Sequence, residues 1–203
     1  MKTMLLVQSS PLRERSISRQ ITNDFIIAHR NLHGERNLIT RDLVKDPPPH
    51  LSDSFVGAMF VPQNKRSAEM EQSLTLGKKL AEELKNADEI VISAPMYNRS
   101  VPSNLKAWID HIVLPYETFD VGPTGPSPLL KGKTLFFICA TGGVYSNGPA
   151  MQQDFCTPYI KCIMGFMGIQ DVRVVFIEGV AFDRESGIAR AKEQFKTALG
   201  TKS

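Results

Sequence analysis

The chain has 203 residues, 42% of them hydrophobic and 22% charged, with a net charge of +3. That length suits one compact domain burying about 70% of its unfolded surface without staples, and the composition is that of a soluble globular protein. Basic residues spread among acids exclude the electrostatic footprint of a nucleic-acid binder, and no stretch reads as a membrane segment.

Taken in order, Thr3 to Gln8 reads as a first strand; the apolar run behind Lys2 is too short for a secretory leader. A serine-rich loop, S-S-P-L-R-E-R-S-I-S, leads into a helix with apolar positions at Ile17, Ile21, Phe25, Ala28 and Leu32, stopped by Gly34. Asn37 to Leu43 is a second strand, ended by Pro47-Pro48-Pro49. Residues 50 to 66 are read as a surface excursion, and Ser67 to Ala87 as one amphipathic helix. Glu89 to Ser93 is a β-branched third strand that runs through Ala94-Pro95 into M-Y-N-R. A helix follows, with start signals at Ser100 and Pro102 and apolar residues Leu105, Trp108, Ile109 and Ile112.

Tyr116 to Leu130 is rich in Pro and Gly and reads as a functional lid or an interface loop. Lys133 to Ala140 is a nearly continuous apolar strand, suited to the centre of a sheet. Thr141 to Pro149 is glycine-rich. A helix from about Met151 to Met167 comes next, in which Pro158 marks either a kink or the true start. Asp171 to Glu178 is a fifth strand, Gly179 to Gly187 a loop, and the last helix runs to about Leu199. This alternation predicts one α/β domain over residues 1–203: a doubly wound five-stranded parallel sheet of order 2-1-3-4-5 with helices on both faces.

In that topology the loops after the first, third and fourth strands open on one edge. Ser9, Ser10, Ser16 and Ser18 precede a helix whose free amides and dipole favour a phosphate; Ser16 and Ser18 equally suit plain helix caps. Arg13, Arg15 and Arg19 flank that loop, either screening a phosphate or forming a solvated face. Met96 to Arg99 offers flat apolar surface and backbone donors to a planar ring, or is an ordinary turn. Ala140 to Gly143 carries two glycines that admit a ligand close to the backbone, or simply a tight turn. Neither G-x-x-x-x-G-K-[ST] nor G-x-G-x-x-G occurs, so a nucleoside triphosphate or a Rossmann dinucleotide is not indicated. A serine hydrolase is disfavoured because no G-x-S-x-G elbow is present. His29 and His33 stand i, i+4, but no further ligand completes a metal site, and they read as solvated helix-end histidines. Cys139, Cys156 and Cys162 sit in apolar sequence without C-x-x-C spacing and read as buried, reduced thiols of a cytoplasmic protein.

The segments S-S and S-I-S, A-P-M-Y-N-R-S-V-P-S-N-L-K-A-W-I-D, T-G-G-V-Y, T-P-Y and G-F-M-G-I-Q-D-V-R-V-V-F-I-E-G resemble the FMN-dependent NADH azoreductases, which are flavodoxin-like quinone and azo reductases. The likeness runs over nearly the entire chain, and its most specific part is P-M-Y-N before a helix. It implies FMN held by Ser10, by Ser16, Ile17 and Ser18, by Met96, Tyr97, Asn98 and Arg99, and by Ala140, Thr141, Gly142 and Gly143. It also implies hydride transfer from NADH or NADPH through flavin N5 to a quinone or azo acceptor in a ping-pong cycle, with no side-chain nucleophile and with Tyr145 as a candidate substrate or proton contact. An azo bond then takes two such cycles, against one for a quinone. Homodimers with the flavin near the interface are implied as well, with Tyr116 to Leu130 and the Trp108 helix as candidate contacts. Two positions depart from the family pattern: Arg99 stands where an aromatic is usual, and Ala140-Thr141 where a serine-arginine pair is usual. The rival reading is a flavodoxin-type electron carrier without turnover of its own; such carriers are usually strongly acidic, and this slightly basic chain favours an enzyme.

Overall fold

The computed structural model describes residues 1–200; the last three residues of the expected 1–203 domain lie outside the described residues. Five strands, β1 (Thr3–Gln8), β2 (Asn37–Asp42), β3 (Glu89–Pro95), β6 (Thr134–Ala140) and β7 (Asp171–Ile177), form one parallel sheet in the order β2-β1-β3-β6-β7. This is the expected 2-1-3-4-5 order, because the intervening strands β4 (Phe119–Gly122) and β5 (Gly125–Pro128) form a separate antiparallel pair.

Strand periodicity assigns the two faces. Leu5, Val7, Ile90, Ile92, Leu135 and Phe137 point into one core, which holds Leu80 and Leu84 of α4 (Thr75–Asn86), Trp108 of α5 (Ser103–Ile112) and Met164 of α6 (Thr157–Met167). Their chain neighbours Met4, Leu6, Val91, Phe136 and Ile138 point the other way, onto Ile21 and Phe25 of α1 (Ile17–His33) and Phe195 of α7 (Arg184–Ala198). Burial on both sides explains why the central strands are apolar throughout rather than alternating.

Several boundaries differ from expectation, each for a local reason. The excursion at 50–66 contains α2 (Asp53–Met59), capped by the Ser52 hydroxyl accepting from Phe55 N at 3.1 Å. Phe55 and Ala58 join Leu74 and Leu114 in a small satellite core. Leu74, with φ −86° and ψ −4°, divides the expected single helix into α3 (Ala68–Ser73) and α4. α5 starts at Ser103, with Pro102 rather than Ser100 at its cap position. The Pro- and Gly-rich segment contains the β4–β5 hairpin. It is seated on α6 by the Phe119 and Phe166 rings, 4.8 Å apart, and by Leu130 N donating to Met167 O at 2.8 Å.

Pro158 marks the start of α6, in its first turn, where a missing N–H costs nothing. Glu178 lies just past the end of β7, and Gly187 lies inside α7 rather than in the loop before it. Among the three thiols, Cys139 and Cys156 are buried, but Cys162 is exposed. His29 is not solvated: it is buried, with Nε2 at 3.3 Å from Glu89. Among the described residues no group of His, Cys, Asp and Glu is placed to hold a metal ion, and no helix is long and apolar enough to cross a membrane.

Candidate functional site

The chain leaves β1, β3, β6 and β7 at the same edge of the sheet, because all four strands are parallel. The first residues of those exits surround a cleft of about 360 Å³. Ser10, Ser16, Ile17 and Ser18 form one wall, Met96 and Tyr97 a second, and Ala140, Thr141 and Gly142 a third. Nine of the twelve residues expected to hold the cofactor thus meet there. Asn98, Arg99 and Gly143 belong to the same loops but stand outside the lining. Two hollows elsewhere, between α1 and α7 and near Lys133, contain none of the expected residues.

The serine wall is a helix start. The Ser16 hydroxyl accepts from Arg19 N at 3.3 Å, and Gln20 N makes the first intrahelical bond, to Ser16 O. The amides of Ile17 and Ser18 precede that bond and point out of the helix at its positive end. Ser16 Oγ and Ser18 Oγ are 2.9 Å apart. Below them Thr22 Oγ1 donates to Ser18 O at 2.7 Å and meets Ser93 Oγ at 2.9 Å, while Ser9 Oγ donates to Ser93 O. A floor of buried hydroxyls therefore ties α1 to β3. Ser9 belongs to that floor, and Ser10 to the lining.

The second wall is a tight hairpin turn. Tyr97 and Ser100 exchange both backbone hydrogen bonds at 3.0 Å, and Asn98 (φ 49°) and Arg99 (φ 68°) are both left-handed. Two positive φ values in a two-residue connection give the type I′ geometry. Asn accepts this readily; Arg does so at some cost, and its carbonyl is anchored by Phe155 N at 3.0 Å. The expectation that this whole loop offers backbone donors needs correction: Met96 N already bonds Ala140 O and Tyr97 N bonds Ser100 O. What Met96 and Tyr97 give the cleft is side-chain surface.

At the third wall Thr141 N is likewise used, by Ile177 O. The carbonyls of Gly142 and Gly143 accept from Ala181 N at 3.2 Å and Gly179 N at 3.0 Å. Because each peptide is planar and trans, fixing the Gly142 carbonyl toward the β7 exit turns the Gly143 amide away from it. Among the described residues no protein acceptor meets the amides of Gly142 and Gly143. Tyr145 lays its ring over Gly143, where an added Cβ would come within 3.3 Å of it.

Of the three arginines flanking the first loop, Arg19 is not available to a ligand. Its guanidinium grips both oxygens of Asp42, at 2.7 and 2.8 Å, and reaches Ser10 O and Gln8 Oε1. The same contact holds the Asp42 carboxyl below its ordinary range. Arg15 lines the cleft, and opposite it Arg184 and Val180 supply a fourth wall that sequence reasoning missed. The only sequence signal for it was that a fifth parallel strand must exit on the same rim. The Trp108 side chain is fully buried, while Ser103 and Lys106 of the same helix stay exposed, so both candidate contacts, the hairpin and this helix, present residues at the surface.

A doubly wound sheet of this order, with a hydroxyl-floored cleft at the carboxyl ends of its strands, defines a flavodoxin-like protein. Comparison agrees: the model of the flavodoxin-like fold family matches residues 2–199. An FMN-dependent NADH:quinone oxidoreductase of Herminiimonas arsenicoxydans is 42% identical over 191 residues, 94% of this chain and 93% of that protein. Another, from Hydrogenovibrio crunogenus, is 42% identical over 199 residues, 98% of each. Among solved structures, an azoreductase of Bacillus anthracis strain Sterne superposes with a TM-score of 0.88 at 26% identity, over 98% of this chain and 100% of that one. The chain belongs to the flavodoxin-like family of FMN-dependent NADH:quinone oxidoreductases and azoreductases.

Proposed function

We propose that this chain is an FMN-dependent NADH:quinone oxidoreductase that also reduces azo compounds, acting as one domain over its length. The observation that carries the reading is the meeting of three loops, far apart in sequence, in one cleft whose residues fit a phosphorylated flavin. Near-full-length relatives bearing that name support an enzyme over an electron carrier.

The fit is chemical. Ser16, Ser18 and the first amides of α1 suit a phosphate, which gains from hydroxyl donors and the positive helix end together; Ser10 completes that wall. Met96 and Tyr97 suit the flat face of a ring, and the amides of Gly142 and Gly143 suit its polar edge. Ala140 and Thr141 keep their assignment as lining of the third wall, and Asn98 and Arg99 as the turn that carries Met96 and Tyr97. When bound, FMN supplies a two-electron relay that accepts hydride at N5 from NADH and passes it to the acceptor. The protein contributes orientation and preorganised dipoles: backbone N–H groups fixed by the β7 exit need no rearrangement as charge builds on a reduced ring. Buried hydroxyls exclude bulk water from the floor of the cleft. Tyr145, beside Gly143, is the side chain best placed to meet an acceptor or deliver a proton. Arg99, exposed at the tip of its turn, favours anionic dyes and quinones.

Purified protein should be yellow, release FMN, and oxidise NADH with menadione or methyl red as the sole acceptor. Reduction only through a separate reductase would leave the carrier reading standing instead. The protein acts in the cytoplasm as a homodimer. Exposed Val121 and Leu129 on the hairpin segment, with Phe155 near the turn at Arg99, support a partner covering that side. Light scattering behind a sizing column should give twice the chain mass, and a monomer at micromolar concentration would remove that part.

A further inference from the structure

We propose that Glu178 is a positioning residue for the cofactor: its carboxylate holds the loop after β6 in the shape that presents the Gly142 and Gly143 amides. This rests on the reading of the cleft as an FMN site. Glu178 is 8% exposed and follows the last residue of β7. Its Oε1 accepts from Tyr145 N at 2.6 Å and from Ser146 N at 2.7 Å, and its Oε2 accepts from Ser146 Oγ at 2.5 Å. The clasped segment forms no helix or strand, so these three bonds and those to Gly142 and Gly143 define its path.

The Glu178 main chain is itself held from behind. Its own carbonyl accepts from Arg190 Nη2 at 3.3 Å, and α7 presses against it at Gly187, where an added Cβ would stand 2.5 Å from Glu178 O. Gln194 of the same helix bonds both Phe176 N and Phe176 O, fixing the outer edge of β7 just before it. The order of support therefore runs from α7 to Glu178, then to Tyr145 and Ser146, and then to the glycines of the cleft. Glu178 does not line the cleft and acts only through the loop it clasps, which makes it a positioning residue and not a catalytic one.

Both backbone donors converge on a single oxygen. A glutamine can accept both through its own Oε1 while its amide donates to Ser146 Oγ, whereas alanine releases all three. Glu178→Ala should weaken FMN binding by about tenfold or more, since bonds to a charged acceptor are the stronger kind. It should also speed hydrogen exchange at the Tyr145 and Ser146 amides of the apoprotein, with the β7 amides unchanged. Glu178→Gln should stay within about threefold of the parent in affinity and keep both amides protected. Ser146→Ala, which changes an exposed side chain, should give an intermediate loss and serves if the Glu178→Ala protein does not fold. Parent-like affinity in Glu178→Ala overturns the proposal, as does equal damage from Ala and Gln or parent-like affinity in Ser146→Ala where that variant stands in. A parent protein that binds no FMN defeats the functional reading itself, and is told apart because it fails before any variant is compared.

Discussion

Arg19 and Asp42 form a two-pronged ion pair between the first turns of α1 and the end of β2, and the same guanidinium holds the carbonyl of Ser10 at 3.0 Å. A cation that looks in sequence like part of a phosphate site is instead the bracket that sets the height of the serine wall. Arg19→Gln should therefore lower stability by about 1–3 kcal/mol, the range for removing one partner of a partly buried pair. FMN affinity should fall with it, because Ser10 loses its anchor. Urea unfolding and flavin titration of the same preparation check both, and a variant that loses affinity with unchanged stability would mean Arg19 contacts the ligand after all.

Ser16 and Ser18 can be separated. Ser16 caps α1, so Ser16→Ala should cost about 1 kcal/mol of stability as well as affinity. Ser18 caps nothing, and Ser18→Ala should act mainly on affinity. Replacing both should weaken FMN binding by about 1–3 kcal/mol and leave riboflavin binding nearly unchanged, since only FMN carries the phosphate. Fluorescence titrations with the two flavins decide it: equal losses for both would move the phosphate elsewhere.

Acid stability should depend on Glu89. Burial alone would raise its pKa, but the close contact with His29 and the hydrogen bond from Arg36 outweigh burial and bring it from 4.5 to about 2. A folded-state pKa below the unfolded one contributes stability that is complete above the unfolded value and is lost as pH falls toward the folded one. The window is thus roughly pH 4.5 down to 2, and the contribution is about 2–3 kcal/mol. Glu89→Gln should flatten the dependence of the urea midpoint on pH across that window, and a parallel slope would refute the assignment.

Gly187→Ala tests how closely α7 seats on the β7 exit. The added methyl would stand 2.5 Å from Glu178 O and 3.1 Å from Val180 Cγ1, so the helix must shift. Overpacking of this kind costs about 1–3 kcal/mol. Thermal melting should show that loss even though alanine is the better helix former.

The three thiols should divide by accessibility. A thiol reagent applied to the native protein should modify Cys162 rapidly and leave Cys139 and Cys156 until the chain unfolds. The hydrogen bond with the neighbouring Cys156 thiol, and then burial, also push the Cys139 thiol well up, away from reactivity. Early modification at Cys139, located by peptide mass, would contradict the packing of β6.

The sequence alone determined the five parallel strands, their order and most of the cleft walls, because the continuous apolar runs of β1, β3 and β6, the helical patterns between them and the serines before α1 are local patterns that any fold must respect. It also singled out M-Y-N-R as the break between a strand and a helix, though the two left-handed residues there, Asn98 and Arg99, came to light only in the structure. Tertiary structure decided what those residues do to one another. Whether Arg19 meets a ligand or Asp42, whether His29 faces water or Glu89, and whether Cys162 is buried or exposed are set by partners distant in the chain. Spacing along a helix says which side chains share a face but not what that face meets. The fourth wall and the Glu178 clasp had no local signature for the same reason: they exist only once β7 lies beside β6 and α7 closes over both.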